Sequence, residues 1–387
     1  MIRCANNLSP YSSLTLKIIT MLRKLFVAAI AINLSVFSYA QTASVSADTS
    51  AATPAPEEKT PVFTITGSAD VYYRYDFAKK KANNFTSFTN SQKSFALGMA
   101  SIKFEHKSQK VGVVVDLGFG TRAKEFAYND EGLLSAIKQL YISYSPTDWL
   151  KFTAGSWATH VGYELVDPQL NRNYSMSYMF TNGPFTHTGI KAEVSKGKHG
   201  FMLGVSNATD FRIPPDTMIN KKFLLAQYSV AITDNIKLYL NYVGGKNPDS
   251  SKTGQFDAVL TAKINDKFSL GYNGTVNSTK SWDGVKNIDG KSWWGSALYI
   301  NIDPAPWFGI TARGELFSDK NQLKFFSSAP AGGSIFATTL SANFKTGGFI
   351  FIPELRFENA GENIFIDKEG AGKKSAASFV VAAIYSF

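Results

Sequence analysis

The chain has 387 residues, of which 14% are aromatic and only 18% charged, and its formal net charge is +10. This apolar, weakly charged composition excludes a largely disordered protein. The length admits several soluble domains or one large β-barrel, so composition alone gives no domain count.

The first forty residues have the pattern of a secretory signal peptide. From Met21 the sequence reads MLRKLFVAAIAINLSVFSYA, with two basic residues, an apolar run and a small-x-small cleavage site. A single membrane anchor is the alternative, but Asn33 interrupts a run already shorter than the roughly 20 residues that a spanning helix needs. We therefore expect a signal peptide over residues 1–40, with the functional start at Met21.

Residues 41–61 are small, polar and proline-bearing, which is typical of a flexible periplasmic leader. Removing residues 1–40 takes away four basic residues and no acidic one, so the net charge falls from +10 to +6. This modest, scattered excess argues against a nucleic-acid partner. Cys4, the only cysteine, is lost as well, which excludes disulfides and cysteine metal sites in the mature chain.

The body of the chain shows repeated period-two alternation and no apolar run long enough for a spanning helix. Residues 62–77, FTITGSADVYYRYDF after Val62, alternate over about fifteen positions, whereas soluble strands usually have about 5 to 6 residues. The same pattern predicts sixteen strands, near 62–77, 95–107, 110–121, 137–145, 149–157, 186–195, 199–207, 223–233, 236–243, 255–264, 267–278, 293–302, 306–318, 334–345, 348–358 and 376–387.

The connections between these strands alternate between short turns and long loops. The long ones cover 78–94, 122–136, 158–185, 208–222, 244–254, 279–292, 319–333 and 359–375. Short periplasmic turns and long extracellular loops are typical of bacterial outer-membrane barrels, and a β-sandwich would not sort its connections in this way. The sequence therefore predicts an all-β protein, a transmembrane antiparallel up-and-down barrel over residues 62–387 with about 16 strands (14 to 18).

The last ten residues, SFVVAAIYSF, alternate to the final Phe387. An apolar terminal strand is an aggregation hazard unless it is covered, and pairing of the last strand with the first would remove the free edge. Tyr385 and Phe387 would then lie in the periplasmic aromatic girdle. A terminal Phe also resembles the signal through which the barrel assembly machinery selects outer-membrane clients.

A segment in the middle of the chain, HVGYELVDPQLNRNYSMSYMFTNGPFTHTGIK from His160 to Lys191, carries a family resemblance. Its GYE element, its N-x-NYS-x-S run and its PF-x-HTG strand entry resemble the OmpL-like β-barrel porin family of Bacteroidota and related bacteria. The resemblance implies an outer-membrane, porin-like barrel with an N-terminus in the periplasm and long loops outside the cell. By analogy with porins of this size, it also suggests a homotrimer.

The loop over residues 158–185 is the longest connection and is rich in Tyr, Asn and Ser. Because long ordered loops are usually functional, we expect it to fold inward and narrow the lumen. The residues expected to line the constriction are Tyr163, Glu164, Asn171, Arg172, Asn173 and Tyr174. The alternative is a loop that stays outside as a rigid cap.

Charged residues fall on the face of the strands opposite the aromatic face, where water or mutual pairing can hold them. The residues expected to line the lumen are Arg74, Lys103, Glu105, Asp116, Arg313, Glu315, Glu354, Arg356 and Glu358. Across all strands the inward set holds nine basic and nine acidic residues, so no strong ion preference is predicted. The Glu354, Arg356, Glu358 row is expected to form salt-bridged ladders with neighbouring strands.

No pattern of catalysis or cofactor binding stands out. The four histidines are scattered; His160 and His187 flank the long loop and could meet Glu164 or Asp167. The GFGTRA segment at Gly118 is expected to end a strand without opening a helix, which excludes a nucleotide site. We expect no enzyme, no cofactor and no metal.

Sixteen strands are enough to enclose an aqueous channel, so the sequence favours a porin that lets small hydrophilic solutes diffuse through the outer membrane. The alternative is a surface binding or adhesion barrel whose lumen is plugged. The expected partners are outer-membrane lipid, lipopolysaccharide, the barrel assembly machinery and the permeating solutes. The KKK run at 79–81 could attract lipopolysaccharide phosphates, although a solvated loop is the simpler interpretation.

Overall fold

The computed structural model describes residues 62–215 and 220–387. The predicted signal peptide over 1–40 and the leader over 41–61 lie outside the described residues and remain predictions. Within the described ranges, sixteen long antiparallel strands close into one barrel. The predicted fold class is confirmed.

The strand bounds follow the period-two segments closely, because each segment can bury one face only as a strand. The barrel strands are β1 (Val62–Asp76), β2 (Ser94–Lys107), β3 (Val111–Phe119), β4 (Ile137–Thr147), β5 (Leu150–Ala158), β6 (Thr186–Lys196), β7 (His199–Asn207), β8 (Lys222–Thr233), β9 (Ile236–Lys246), β10 (Lys252–Asn265), β11 (Phe268–Lys280), β12 (Lys291–Ala305), β13 (Phe308–Asp319), β14 (Gly333–Thr346), β15 (Phe349–Ala360) and β18 (Ser375–Ser386). A two-residue hairpin, β16 (Phe365–Ile366) with β17 (Gly372–Lys373), lies in the last long loop.

The last strand closes the barrel. β18 pairs with β15 on one side and with β1 on the other, in a register that runs from Ser68 opposite Ser386 to Asp76 opposite Ser378. The backbone N–H and C=O of Phe387 both bond to Gly67 at 3.0 Å. The terminal strand therefore has no free edge, as its alternation predicted.

The two faces of the sheet differ in chemistry. Side chains on the outer face are exposed and apolar, such as Phe95, Leu97 and Phe256, whereas the alternate positions carry the buried charges, such as Arg74 and Arg313. In a water-soluble protein this exposed apolar surface would be a liability, whereas in lipid it is the expected outer surface.

Helices are short and lie in the long loops. The described residues form α1 (Thr121–Ala127) and α2 (Tyr178–Asn182), together with single 3₁₀ turns at Lys81–Asn83, Gly132–Ala136 and Pro168–Leu170. The described residues contain no helix with the length and hydropathy of a membrane span.

Helix α1 corrects one sequence prediction. The GFGTRA segment was expected not to open a helix, but a seven-residue helix begins directly after Gly120. The helix forms because Ala123 and Phe126 bury against Phe88 and Phe185 of other loops. Tertiary packing, which local sequence does not show, therefore decides this segment. The expected absence of a nucleotide site stays a prediction.

Candidate functional site: the long loop and the barrel wall it contacts

The connection between β5 and β6, residues 159–185, contacts strands on the far side of the barrel. Gly162, with a φ of 95°, turns the chain inward, and its backbone N–H donates to the Asp257 carboxylate of β10 at 3.0 Å. A left-handed φ of this kind favours glycine because it has no Cβ. From this point the loop contacts inward-facing residues of β13, β14, β15 and β1.

Arg313 of β13 is the central anchor of the loop. Its Nη1 donates to Glu164 Oε1 at 2.5 Å and to the Ser175 carbonyl at 2.7 Å, and its Nη2 donates to the Met176 carbonyl at 3.3 Å. The guanidinium is fully buried, and Glu315 lies 3.6 Å from its Nε. A buried arginine requires such partners, because an unpaired charge away from water is very costly.

The next anchor is Glu354 of β15. Its two carboxylate oxygens accept the backbone N–H groups of Tyr174 at 2.8 Å and Ser175 at 3.1 Å. The neighbouring Asn173 side chain donates to Ser341 Oγ at 2.6 Å. These contacts pair the backbone of an irregular segment that would otherwise be left unsatisfied inside the barrel.

Two buried tyrosines extend the same attachment. The Tyr174 hydroxyl donates to Asp70 of β1, and the Tyr178 hydroxyl donates to Glu358 of β15 at 2.6 Å. The Arg356 guanidinium lies over the Tyr178 ring, 5.0 Å from its centroid. This cation–π contact stabilises the position of the Tyr178 ring in addition to its hydrogen bond.

Arg122 of α1 joins a second loop to the long loop. Its guanidinium lies between the rings of Phe88 and Tyr174, 4.8 Å from each centroid, and it donates to the carbonyls of Val166 at 3.1 Å and Tyr174 at 3.3 Å. This residue was not predicted. Its sequence neighbourhood shows no pattern that would have distinguished it from a solvated loop arginine.

Beside the loop lies a cavity of about 300 Å³. Five of the six residues predicted for the constriction line it, namely Tyr163, Glu164, Asn171, Arg172 and Asn173. The sixth, Tyr174, does not line it, because its ring is buried against Tyr72. The facing wall carries amide and hydroxyl side chains, namely Gln227, Tyr239, Asn241, Thr261, Tyr299 and Asn301.

Two contacts hold the cavity-lining residues in place. The Tyr163 ring stacks on Tyr299 of β12 with centroids 4.2 Å apart. The Arg172 guanidinium pairs with Asp303 near the short-turn end of β12, and Lys345 lies 3.6 Å from the same carboxylate. The loop is therefore tied to β12 as well as to β13 and β15.

The register places all nine of the predicted lumen charges on the inner side of the barrel. Most pair with each other or with an inner neighbour: Lys103 with Glu105 at 2.9 Å, Arg74 with Asp76 at 3.8 Å, Asp116 with Lys138 at 3.1 Å, Arg356 with Glu315 and with Glu358 at 2.9 Å each. In the β15 row, Arg356 and Glu358 therefore form part of a salt-bridged ladder, whereas Glu354 binds the backbone of the long loop. Their role in lining an open lumen stays a prediction.

The histidines do not meet the acids that the sequence suggested. Glu164 is taken by Arg313, and Asp167 by Lys138 at 2.5 Å. His160 instead bonds through Nε2 to the Tyr242 carbonyl at 3.1 Å, and its ring lies 5.3 Å from the His187 ring. Burial lowers the pKa of His160 to about 4, so this loop histidine is neutral at ordinary pH.

Within residues 62–215 and 220–387, no three His, Cys, Asp or Glu side chains are grouped as metal ligands. The site is therefore an anchored loop beside a polar cavity. The charged side chains that anchor the loop bind other groups of the protein. The polar residues that line the cavity are mainly amides and hydroxyls, together with one arginine.

The family comparison matches residues 62–387, the whole described barrel, to the family "Putative beta-barrel porin-2, OmpL-like". The chain belongs to this family. The resemblance read from the GYE and PF-x-HTG elements is thereby confirmed, and the outer-membrane location follows. No curated protein sequence matches the chain.

Solved structures of similar fold include an outer-membrane channel, an anion-selective porin and other outer-membrane proteins. The chain is similar to the channel DcaP of Acinetobacter baumannii, at 10% identity and a TM-score of 0.57, covering 84% of this chain and 97% of that one. It is similar to OmpT of Vibrio cholerae, at 10% identity and a TM-score of 0.56, covering 86% and 99%. It is also similar to the anion-selective porin of Comamonas acidovorans, at 10% identity and a TM-score of 0.56, covering 84% and 100%. Identities this low show the fold alone.

Proposed function

We propose that this porin-like barrel lets small hydrophilic solutes diffuse passively across the outer membrane, and that the loop over residues 159–185 sets its narrowest point. The observation that carries this proposal is the attachment of Glu164 and Ser175 to Arg313 on the far wall. A loop held against the far wall leaves solutes only the space beside it. That space is the cavity lined by the amides and tyrosines.

The proposed selectivity is weak with respect to charge. Several buried charges near the loop pair with each other, as Arg313 and Glu164 do, while Glu354 and Asp257 are held by neutral donors. The groups facing the cavity, such as Gln227, Asn241 and Asn301, carry no charge and can both donate and accept hydrogen bonds. Small uncharged or weakly charged polar solutes therefore suit the passage better than strongly charged ones.

Deletion of residues 165–175 tests the proposal. Residues on the two sides of the deleted segment are in contact, because the backbone N–H of Ser177 donates to the Glu164 carboxylate at 2.7 Å, so a two-residue Gly-Ser linker is chosen to replace the segment. Single-channel conductance in a planar bilayer should rise in the variant. A matched deletion in another long loop, residues 283–286, should leave conductance unchanged, since Val285 is exposed. An unchanged conductance after the first deletion would remove the constriction role.

One observation favours the alternative of a binding barrel with a plugged lumen. Phe326 and Phe365, from two other long loops, pack inward against Trp293 and Phe317 of the wall, so loops fill part of the interior. The same bilayer recording separates the two functions. Discrete open steps support the porin, whereas a silent, correctly folded barrel supports the binding protein.

We further propose that the long loops face the cell exterior, that the N-terminus lies in the periplasm, and that the chain assembles as a homotrimer. The orientation is the usual one for outer-membrane barrels. Protease digestion of intact cells tests it, because the exposed loop around Val285 should be cut while the short turns stay protected. The barrel assembly machinery is the proposed biogenesis partner, through the terminal strand β18 and the Phe387 that follows it.

A further inference from the structure

Three lysines form a row on the outer surface of the barrel, at the end where the long loops lie. Lys252 of β10 is directly opposite Lys246 of β9 and directly opposite Lys280 of β11. All three occupy the outward positions of their strands, in phase with the exposed Phe256 and Val276. Like charges placed directly across a sheet repel each other, so this arrangement costs stability unless an anion lies between them.

No acidic side chain among residues 62–215 and 220–387 forms a salt bridge with any of the three. The Lys246 ammonium lies over the Trp282 ring, 5.5 Å from its centroid, and the Lys252 and Lys280 side chains are exposed. Apart from the row, the neighbouring strand ends and loops carry four lysines and three aspartates, so their charge does not offset that of the row. These are Lys221, Lys222, Lys286 and Lys291, with Asp249, Asp283 and Asp289.

Directly next to the row, the outer surface has a groove of about 660 Å³ that the three lysines help to line. Its floor lacks side chains at Gly244 and Gly254, and the rings of Tyr242 and Phe256 border it with centroids 4.8 Å apart. One edge of the groove is thus cationic, and the rest of the groove is apolar and faces the membrane. A ligand that fits both parts must carry anionic groups at one end and hydrocarbon at the other.

We infer that Lys246, Lys252 and Lys280 form a binding site for the phosphorylated head group of a membrane lipid, with an acyl chain of that lipid in the groove. Three ammonium groups match the charge of a bisphosphorylated glycolipid such as the lipid A part of lipopolysaccharide. The site rests on the proposed orientation, with long loops outward, but not on channel conduction. It also differs from the KKK run at 79–81, which the sequence had suggested for phosphate contact.

A second outer groove of similar size supports the specificity of this assignment. It measures about 620 Å³ and lies beside β14, β15 and β18, but its rim carries Asp367 and Glu369 with Lys368, and Asp367 pairs with Lys373 at 3.2 Å. A groove whose rim has no excess of positive charge would not attract the same head group. Lipid binding is therefore expected at the lysine row and not at this second groove.

The test is binding of bisphosphorylated lipid A to the delipidated full-length protein in detergent, followed by native mass spectrometry. Compared with the wild type, the triple variant K246Q, K252Q and K280Q should bind at least about tenfold more weakly, since each lysine near an anionic head group contributes. The control triple variant K110Q, K198Q and K267Q has the same change in charge at the short-turn end, where all three side chains are exposed, and should bind as the wild type does. Heat-shifted gel mobility checks that both variants are folded barrels.

Two further arms identify the ligand. Lipid A without its phosphates should bind at least about tenfold more weakly than lipid A to the wild type, and inorganic phosphate should not displace lipid A. The variant Gly254→Leu, which fills the groove and keeps all three lysines, should also weaken lipid A binding. Equal binding by the wild type and the triple variant, or by lipid A with and without phosphates, would overturn the site. Displacement by inorganic phosphate would show a simple ion site and overturn the lipid assignment. Channel recordings on the same preparations report on the proposed function separately.

Discussion

Arg313 of the barrel wall and Glu164 of the long loop form a buried ion pair 2.5 Å apart, although 149 positions separate them in the chain. The same guanidinium donates to the loop backbone at Ser175 and Met176. One wall residue therefore holds the loop on both sides of its turn.

Replacing Arg313 by methionine should destabilise the folded barrel strongly. The variant leaves the Glu164 carboxylate buried without its cation, whereas Glu315 keeps Arg356 at 2.9 Å, and breaking such a buried pair costs about 3 to 5 kcal/mol. Urea unfolding from lipid vesicles, followed by tryptophan fluorescence, measures the change. The control is Lys103→Met, whose partner Glu105 is about 40% exposed, and there the loss should stay within about 1 kcal/mol. Similar losses in the two variants would contradict the anchoring role of Arg313.

The variant Tyr174→Phe should make the channel noisier while the barrel remains folded. It removes the hydroxyl that donates to Asp70, whose carboxylate then keeps only the Met99 backbone N–H as a donor among the described residues. Leaving a buried carboxylate oxygen unpaired costs about 1 to 3 kcal/mol, which loosens the loop against β1. Single-channel recording should show more frequent current fluctuations.

The matched control for this variant is Tyr385→Phe, on the outer face, where the side chain is half exposed. Its hydroxyl makes no contact with the long loop in the described residues, so current fluctuations should match those of the wild type. Equal noise in both variants would show that the Tyr174 hydroxyl does not hold the loop.

Asp210, in the loop that follows β7, should make stability depend on pH. Its Oδ1 accepts the backbone N–H groups of Phe185 at 2.7 Å and Thr186 at 2.8 Å, and burial raises its pKa from 3.8 to about 7. Between these two values the folded chain holds a proton that the unfolded chain has released, so stability should fall as pH rises through this window. The nearby Arg212 and Asp130 pair at 2.6 Å contributes opposing fields.

The variant Asp210→Asn tests this directly, because its amide oxygen can accept both backbone donors and carries no titrating charge. The φ of 65° at this position is also one that asparagine adopts readily. Urea midpoints at about pH 5 and about pH 8 should differ less in the variant than in the wild type. An unchanged difference would show that another group titrates.

Arginine should be tolerated on the inner face of the sheet and not on the outer face. Leu240→Arg places a charge on the outward side of β9, where the leucine is 46% exposed, and should cost about 2 to 4 kcal/mol in folding into vesicles. Thr261→Arg, on β10 and lining the cavity, should fold normally and lower single-channel conductance instead. If Thr261→Arg destabilised the barrel more than Leu240→Arg, the inner face of the sheet, and not the outer face, would be the one in contact with lipid.

Much of the fold could be predicted from local sequence because period-two alternation is itself a local property. Val380 and Phe379 fall on opposite faces of the last strand whatever it pairs with, and the charged row at Glu354, Arg356 and Glu358 falls on one face for the same reason. Strand number, closure and the sorting of short turns from long loops all followed from this pattern. The face of the strands that lacks charged residues could be identified as the face in contact with the membrane.

Contacts across the barrel could not be predicted in this way, because they depend on which distant strands closure brings together. Arg122, between Phe88 and Tyr174, had no pattern of its own, and Tyr174 turned toward Tyr72 instead of the cavity. The lysine row likewise needs the register, since Lys246, Lys252 and Lys280 become neighbours only when β9, β10 and β11 are aligned. Alternation fixes which face a side chain takes, whereas its partners depend on alignment and loop path, which only the closed barrel decides.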